Sequence, residues 1–221
     1  MSGALPIPLP QADRRLRWLT LLLGAGLLVT GWHPFDHGTW LLEVFPVFIV
    51  LPLLWATRRR FPLTGLLCTL IGVHALVLMV GGAYTYARVP LGFALQDLLH
   101  LARNPYDRIG HFAQGFIPAV AVREILIRGG YVSGTRMRAF LVTCVVLAIS
   151  ACYEFIEWGT ALALGQGADD FLGTQGDPWD TQWDMFMALV GAIVSQLLLN
   201  RLHDRQIAAL GGRLPGQGSQ H

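Results

Sequence analysis

Glu154 and Glu157 stand three residues apart inside an apolar stretch, Arg138 to Leu164, that otherwise has the composition of a membrane-spanning helix. That spacing puts both carboxylates on one helix face. An acid near the bilayer centre costs roughly 2.5–3.5 kcal/mol on insertion scales, and less in the outer half of a span. A proton, a basic partner, a metal or a water-filled cavity must compensate, so intramembrane acids are functional-site candidates by default.

Two neighbouring stretches supply partners at matching depth. Asp107, His111, Gln114 and Pro118 follow the i, i+4, i+7, i+11 rhythm of one helix face. Asp177, Asp180 and Asp184 follow i, i+3, i+7, with Pro178 expected in a first helical turn and Asp177 as its N-cap. Further along that face, Gly191 and Ser195 permit close helix approach. One histidine, up to four carboxylates, Gln114 and the Tyr153 phenol are therefore expected at one level.

Two chemistries suit such a set. Carboxylates with one imidazole fit Zn, Mn or Fe, and an oxygen-only subset fits Mg or Ca. A catalytic zinc needs three protein ligands and an open position for water. Alternatively, crowded carboxylates share a proton and act as a relay or an acid/base pair. Structural roles stand beside these: a buried Glu154–Arg108 ion pair, capping by Asp177 and Asp180, and a packed His111. Glu43, at the outer start of its helix, is placed either in the cluster or, in preference, at the interface; Arg123 and Glu124 read as interfacial charges. His33 and His37 read as surface residues, and His74 as a buried, hydrogen-bonded histidine. Cys68, Cys144 and Cys152 read as buried small hydrophobes.

The elements that must position these groups are membrane helices. The 221 residues are only 14% charged, and their mean hydropathy is +0.49, too apolar for a soluble domain. Six stretches approach the roughly 20 residues needed to cross a bilayer, near 17–33, 39–57, 62–83, 109–128, 138–164 and 183–202. The expected fold is all-α, a polytopic membrane protein of about six transmembrane helices. Residues 1–16 read as a mobile cytoplasmic N-terminus, 17–205 as a single membrane domain, and 206–221 as a flexible cytoplasmic tail.

There is no Lys, and 13 of the 16 Arg fall on one side of these spans, leaving Arg88, Arg103 and Arg108 on the other. The positive-inside rule then places both termini in the cytoplasm and the acidic helix ends outside. The small net charge of +2 is a topology signal and gives no reason to expect nucleic acid. No A-x-A-like cleavage site follows Trp18–Thr30, which reads as a retained helix. In the third loop, Leu91 to Ala102 groups apolar residues at helical spacing with Asp97 and His100 opposite, which predicts a short amphipathic surface helix. There is no phosphate loop, HExxH zinc motif or glycine-flanked serine nucleophile.

The segments DRIGHFAQGF (Asp107–Phe116), YEFIEW (Tyr153–Trp158) and FLGTQGDPWDTQWDM (Phe171–Met185) resemble the YjdF-like family of bacterial inner-membrane proteins, over roughly residues 18–205. That resemblance implies a multi-pass inner-membrane protein and names no reaction. A more distant likeness is to VanZ-like membrane proteins. It rests on Asp107, Arg108, His111 and Phe112, on Glu154 and Glu157, and on Asp180, Asp184 and Gly191; it implies that these three pieces form one site. Ala188 stands where that group tends to have Asn.

The functional expectation is a membrane-embedded, metal-assisted hydrolase or transferase acting on a lipid-linked or envelope substrate. Asp107, His111, Glu154, Glu157, Asp180 and Asp184 would supply ligands and acid/base groups. Arg108 would hold an anionic head group, with Gln114 and Tyr153 beside the substrate. The alternatives are a cation- or proton-coupled transporter, or a structural or regulatory membrane subunit. The lipid bilayer is the expected partner in every case.

Overall fold

The structure, a computed structural model, describes residues 9–164 and 174–211. Among the described residues the chain is helical and has no strand: α1 (Leu9–Trp32), α2 (His37–Thr57), α3 (Gly65–Tyr84), a 3-10 turn (Tyr86–Arg88), α4 (Pro90–Leu99), α5 (Tyr106–Arg128), α6 (Thr135–Leu164) and α7 (Asp180–Ala209). By length and composition α2, α3, α6 and α7 can each cross a bilayer. α1 and α5 have the length but carry more charge, including Arg14, Arg15 and Arg17 on one and Asp107, Arg108, Arg123 and Glu124 on the other.

The predicted surface helix of the third loop is α4, which His100 closes in the left-handed conformation. α1 starts ahead of residue 17 and α7 runs past residue 205, so helix extends into both expected terminal segments. α7 also starts later than expected. Pro178 lies in a turn, and the Asp177 carboxylate accepts from the Trp179 amide instead of capping a helix that contains Pro178. Residues 165–173, part of the long fifth loop, lie outside the described residues.

The bundle's outer surface is apolar. Leu28, Val29, Leu197 and Leu198 are each at least 68% exposed, a display that only lipid makes inexpensive. Cys144 and Cys152 share this exposed surface, so the reading of them as buried hydrophobes is corrected.

Two groups of helices meet along α3 and α5. In the first, Leu16, Leu19, Leu23, Val44, Val47, Ala75, Leu78 and Met79 interlock from α1, α2 and α3, and the Trp55 indole donates to Thr20 at 2.9 Å. In the second, α5 and α7 touch backbone to backbone. A Cβ at Gly115 would overlap the Ala188 carbonyl, and one at Gly191 would overlap the Phe112 carbonyl. Small residues let membrane helices approach this closely. Gly115→Leu is therefore expected to reduce stability by at least the roughly 1–3 kcal/mol typical of overpacking. A thermal unfolding midpoint in detergent equal to wild type would refute that packing.

The arginine-rich end of the bundle holds a buried polar lock, which corrects the interfacial reading of Arg123 and Glu124. Glu124 is fully buried and accepts from the Thr64 amide and hydroxyl, Arg128 and His203 at 2.7–3.2 Å. Arg123 donates to His203 Nδ1 at 3.1 Å and to Asp204 at 2.6 Å. α3, α5 and α7 are thus pinned together at one end, which fixes how their other ends converge.

Candidate functional site

That other end collects the acids. On α5, Asp107 and His111 face inward, each 6% exposed, and α7 adds Asp180 and Asp184 at 6% and 2%. α6 contributes Glu154, 6% exposed, and the half-buried Glu157. Two triads converge on one imidazole, Asp107–His111–Asp184 and His111–Glu154–Glu157, and within each the potential ligand atoms all lie within 4.8 Å of one another.

His111 is oriented by its own helix. Its Nδ1 lies 2.9 Å from Gln114 Oε1. A carbonyl oxygen only accepts, so Nδ1 carries the hydrogen. In the neutral ring Nε2 is then a bare nitrogen, and it faces Asp107 Oδ1 at 3.5 Å and Asp184 Oδ1 at 3.8 Å. A lone pair aimed at two carboxylates is repulsive until a proton or a cation stands between them.

Guanidinium groups meet part of the charge. Arg103 reaches Asp180 at 2.5 Å, Thr174 O at 2.9 Å, and both Asp107 and Asp177 at 3.4 Å. Arg108 pairs with Asp177 at 3.0 Å and stacks over the Trp183 ring. The buried Glu154–Arg108 pair considered above is therefore absent.

What remains is unpaired. Both Glu154 oxygens and Asp184 Oδ1 are buried with no hydrogen-bond partner, as is the hydroxyl of Ser150, one turn along α6 from Glu154. The Thr181 hydroxyl stands close to Glu154 but outside hydrogen-bond geometry. Buried polar groups in folded proteins are overwhelmingly bonded, so such orphans call for an explanation. The lock at the opposite end shows how this bundle treats a structural acid: every Glu124 oxygen there has its donors.

Glu43 belongs to this cluster, the less favoured of the two placements read from the sequence, and its preferred interfacial placement is corrected. It is 3% exposed and accepts from the Tyr153 phenol at 3.0 Å, while the Tyr153 ring meets His111 edge-on at 6.2 Å between centroids. Tyr86 also faces Glu43. It is wedged where a Cβ at Gly81 or Gly110 would strike its ring. Thr85 presents it from a strained backbone at φ 56° and ψ 143°, a region β-branched residues avoid. Burial raises the Tyr86 phenol well above its ordinary value, so it remains a hydrogen-bond donor at physiological pH.

Sequence reasoning missed four supports, Arg103, Asn104, Gln175 and Tyr86. Asn104 and Gln175 exchange two hydrogen bonds at 3.0 and 3.1 Å, clasping the α6–α7 connection to the start of α5. Only Arg103 left a signal, its i, i+4 spacing to Asp107.

An all-helical bundle with an apolar outer surface and a buried His/carboxylate interior defines an integral membrane protein. A family model described as "Predicted membrane protein (DUF2238)" matches residues 15–205. The chain is 62% identical over 193 residues to inner membrane protein YjdF of Escherichia coli strain K12, a match covering 87% of this chain and 90% of that protein. The chain belongs to this YjdF-like DUF2238 family and is a multi-pass inner-membrane protein. These matches bear out the first resemblance drawn from the sequence and do not show the likeness to VanZ-like proteins. No solved structure matches the chain.

Proposed function

We propose that the convergent acids form a divalent-metal site, and that the protein is a metal-assisted hydrolase or transferase acting on a lipid-linked or envelope substrate. The observation that carries this reading is the set of orphaned lone pairs, Glu154 and Asp184 oxygens buried without donors, beside an imidazole whose Nε2 faces two carboxylates. A cation held by either triad would satisfy the imidazole together with the acids of that triad, Asp107 and Asp184 or Glu154 and Glu157, while Asp180 is engaged by Arg103. One nitrogen among oxygens suits Zn, Mn or Fe.

Such a metal supplies Lewis acidity to a substrate oxygen. Glu157, the less buried of the α6 pair, takes a proton from the attacking water or alcohol. The new bond forms to an acyl or phosphoryl centre, the bond to the leaving oxygen breaks, and the proton returns to that oxygen. Arg108 sits at the rim with a side chain 29% exposed, where an anionic head group can displace Asp177.

Below the site, Ala119, Val142, Val146, Ala188 and Ala192 pack together, none more than 1% exposed. The polar groups at that level, Ser195 and the hydrogen-bonded Thr143–Gln196 pair, carry no ionisable side chain to hold a cation or pass a proton. That favours an enzyme over a transporter. With the arginine-rich end in the cytoplasm, residues 17–205 form one domain of six spans whose site opens outward.

The test is metal content of detergent-purified protein, beside Glu157→Gln. Near-stoichiometric metal, reduced in the variant at unchanged yield and unfolding midpoint, is the expected result. Metal-free wild type that reloading cannot fill would end the metal reading and favour proton-coupled transport or a structural cluster.

A further inference from the structure

A cavity of about 670 Å³ lies between α2 and α5, floored by α3, within the size range of small-molecule sites. Apolar side chains line nearly all of it, among them Val47, Val50, Leu54, Ala75, Leu78 and Ala121. It opens sideways into the membrane between rims marked by Leu53 and Ile125, 56% and 49% exposed.

Its upper end begins directly beneath the acidic site. On α2, Glu43 lies in the site, and Pro46 and Val47, one turn on, line the groove; on α5, Gln114 is followed by Ile117 and Pro118. His74 also lines this upper part. Its Nε2 is buried without a partner, which corrects the expectation of a hydrogen-bonded histidine. From Ile117 the lining continues down α5 to Gly129, about 18 Å at the helical rise. Phe61, Arg128 and Tyr131 lie at that far, arginine-rich end.

We propose that this groove receives the hydrocarbon tail of the lipid whose head group enters the acidic site, so that the substrate is a long-chain membrane lipid presented tail-down. This rests on the enzyme reading above and adds the substrate class. An apolar trough reaching sideways to the bilayer, continuous in register with a polar site at one end, fits a molecule with the same division. The register also fixes direction, with the head at His111 and the chain end toward Phe61.

The experiment uses full-length protein in nanodiscs containing phosphatidylglycerol or a polyprenyl phosphate, each with a diazirine at the chain end. Illumination and peptide mass spectrometry map the contacts. With at least one probe, labelling is expected around Thr57, Phe61 and Ile125. It should fall to the level of general surface labelling in Ala121→Trp and Val50→Trp, which fill the groove, and persist in the lipid-facing control Leu28→Trp. Unlabelled lipid should compete it from wild type, a readout that requires no variant to fold. Labelling concentrated near His74 would mean the opposite orientation and overturn the proposal. Even labelling of all exposed faces, insensitive to filling and competition, would overturn it as well. Metal content of the same samples is read separately, so loss of the groove leaves the metal site standing, and absence of metal with specific chain labelling removes the enzyme reading instead.

Discussion

Glu124→Ala is expected to lower stability by roughly 3–5 kcal/mol, the usual cost of removing one partner from a buried ion pair. The carboxylate is fully buried, so the substitution strands four donors: the Thr64 amide and hydroxyl, Arg128 and His203. The chain of bonds behind it also has a fixed direction. Arg123 can only donate, so His203 Nδ1 must accept, and Nε2 then carries the hydrogen given to Glu124. Removing the end of that chain leaves the buried His203 Nε2–H without its acceptor, while Arg123 keeps His203 Nδ1 and Asp204. Chemical or thermal unfolding in a mild detergent measures the loss.

The same measurement on Glu154→Gln separates two kinds of buried acid. Glu154 is nearly as buried, yet its oxygens have no donors to lose. Replacing an uncompensated charge with an amide of the same shape should leave metal-free protein unchanged or more stable. Equal destabilisation by both variants would show that the acidic cluster is structural. A loss at Glu154 exceeding that at Glu124 would overturn the assignment of the lock.

Much of this contrast was legible in the chain. Asp107 and His111, Glu154 with Glu157, and Asp180 with Asp184 share helix faces by spacing alone, and the depth of each in its span predicts that they converge. Glu43 and Glu124 were misjudged for the same physical reason. Each lies near a helix end, where solvation is the default, and each is buried by a residue distant in sequence: Tyr153 covers one, Thr64 and His203 the other. Periodicity along one helix carries no information about what the next helix lays over it. The start of α7 was misplaced because Asp177-Pro178 has the composition of a cap, while Arg103 and Arg108 hold Asp177 outside the helix. The groove left no signal because its lining is apolar like the lipid-facing sides of the same helices.

His111→Ala is expected to abolish metal binding, whereas Gln114→Leu should weaken it by about 10–100-fold, the range for losing a group that orients a ligating histidine. The difference follows from the tautomer. Gln114 Oε1 holds the hydrogen on Nδ1 at 2.9 Å and so leaves Nε2 as the nitrogen available to a metal, facing Asp107 and Asp184. With leucine at position 114 the ring is free to turn and to place its hydrogen on Nε2, but the nitrogen itself is still present. Gln114→Glu provides the converse control, since a carboxylate holds Nδ1–H more strongly and should preserve or tighten binding. Titration with Zn and Mn against a competing chelator, on protein of wild-type unfolding midpoint, resolves all three. If Gln114→Leu matched His111→Ala, Gln114 would itself be a ligand. If neither variant changed affinity, any bound metal would lie elsewhere, and the imidazole facing Asp107 and Asp184 would carry a proton as part of an ion pair.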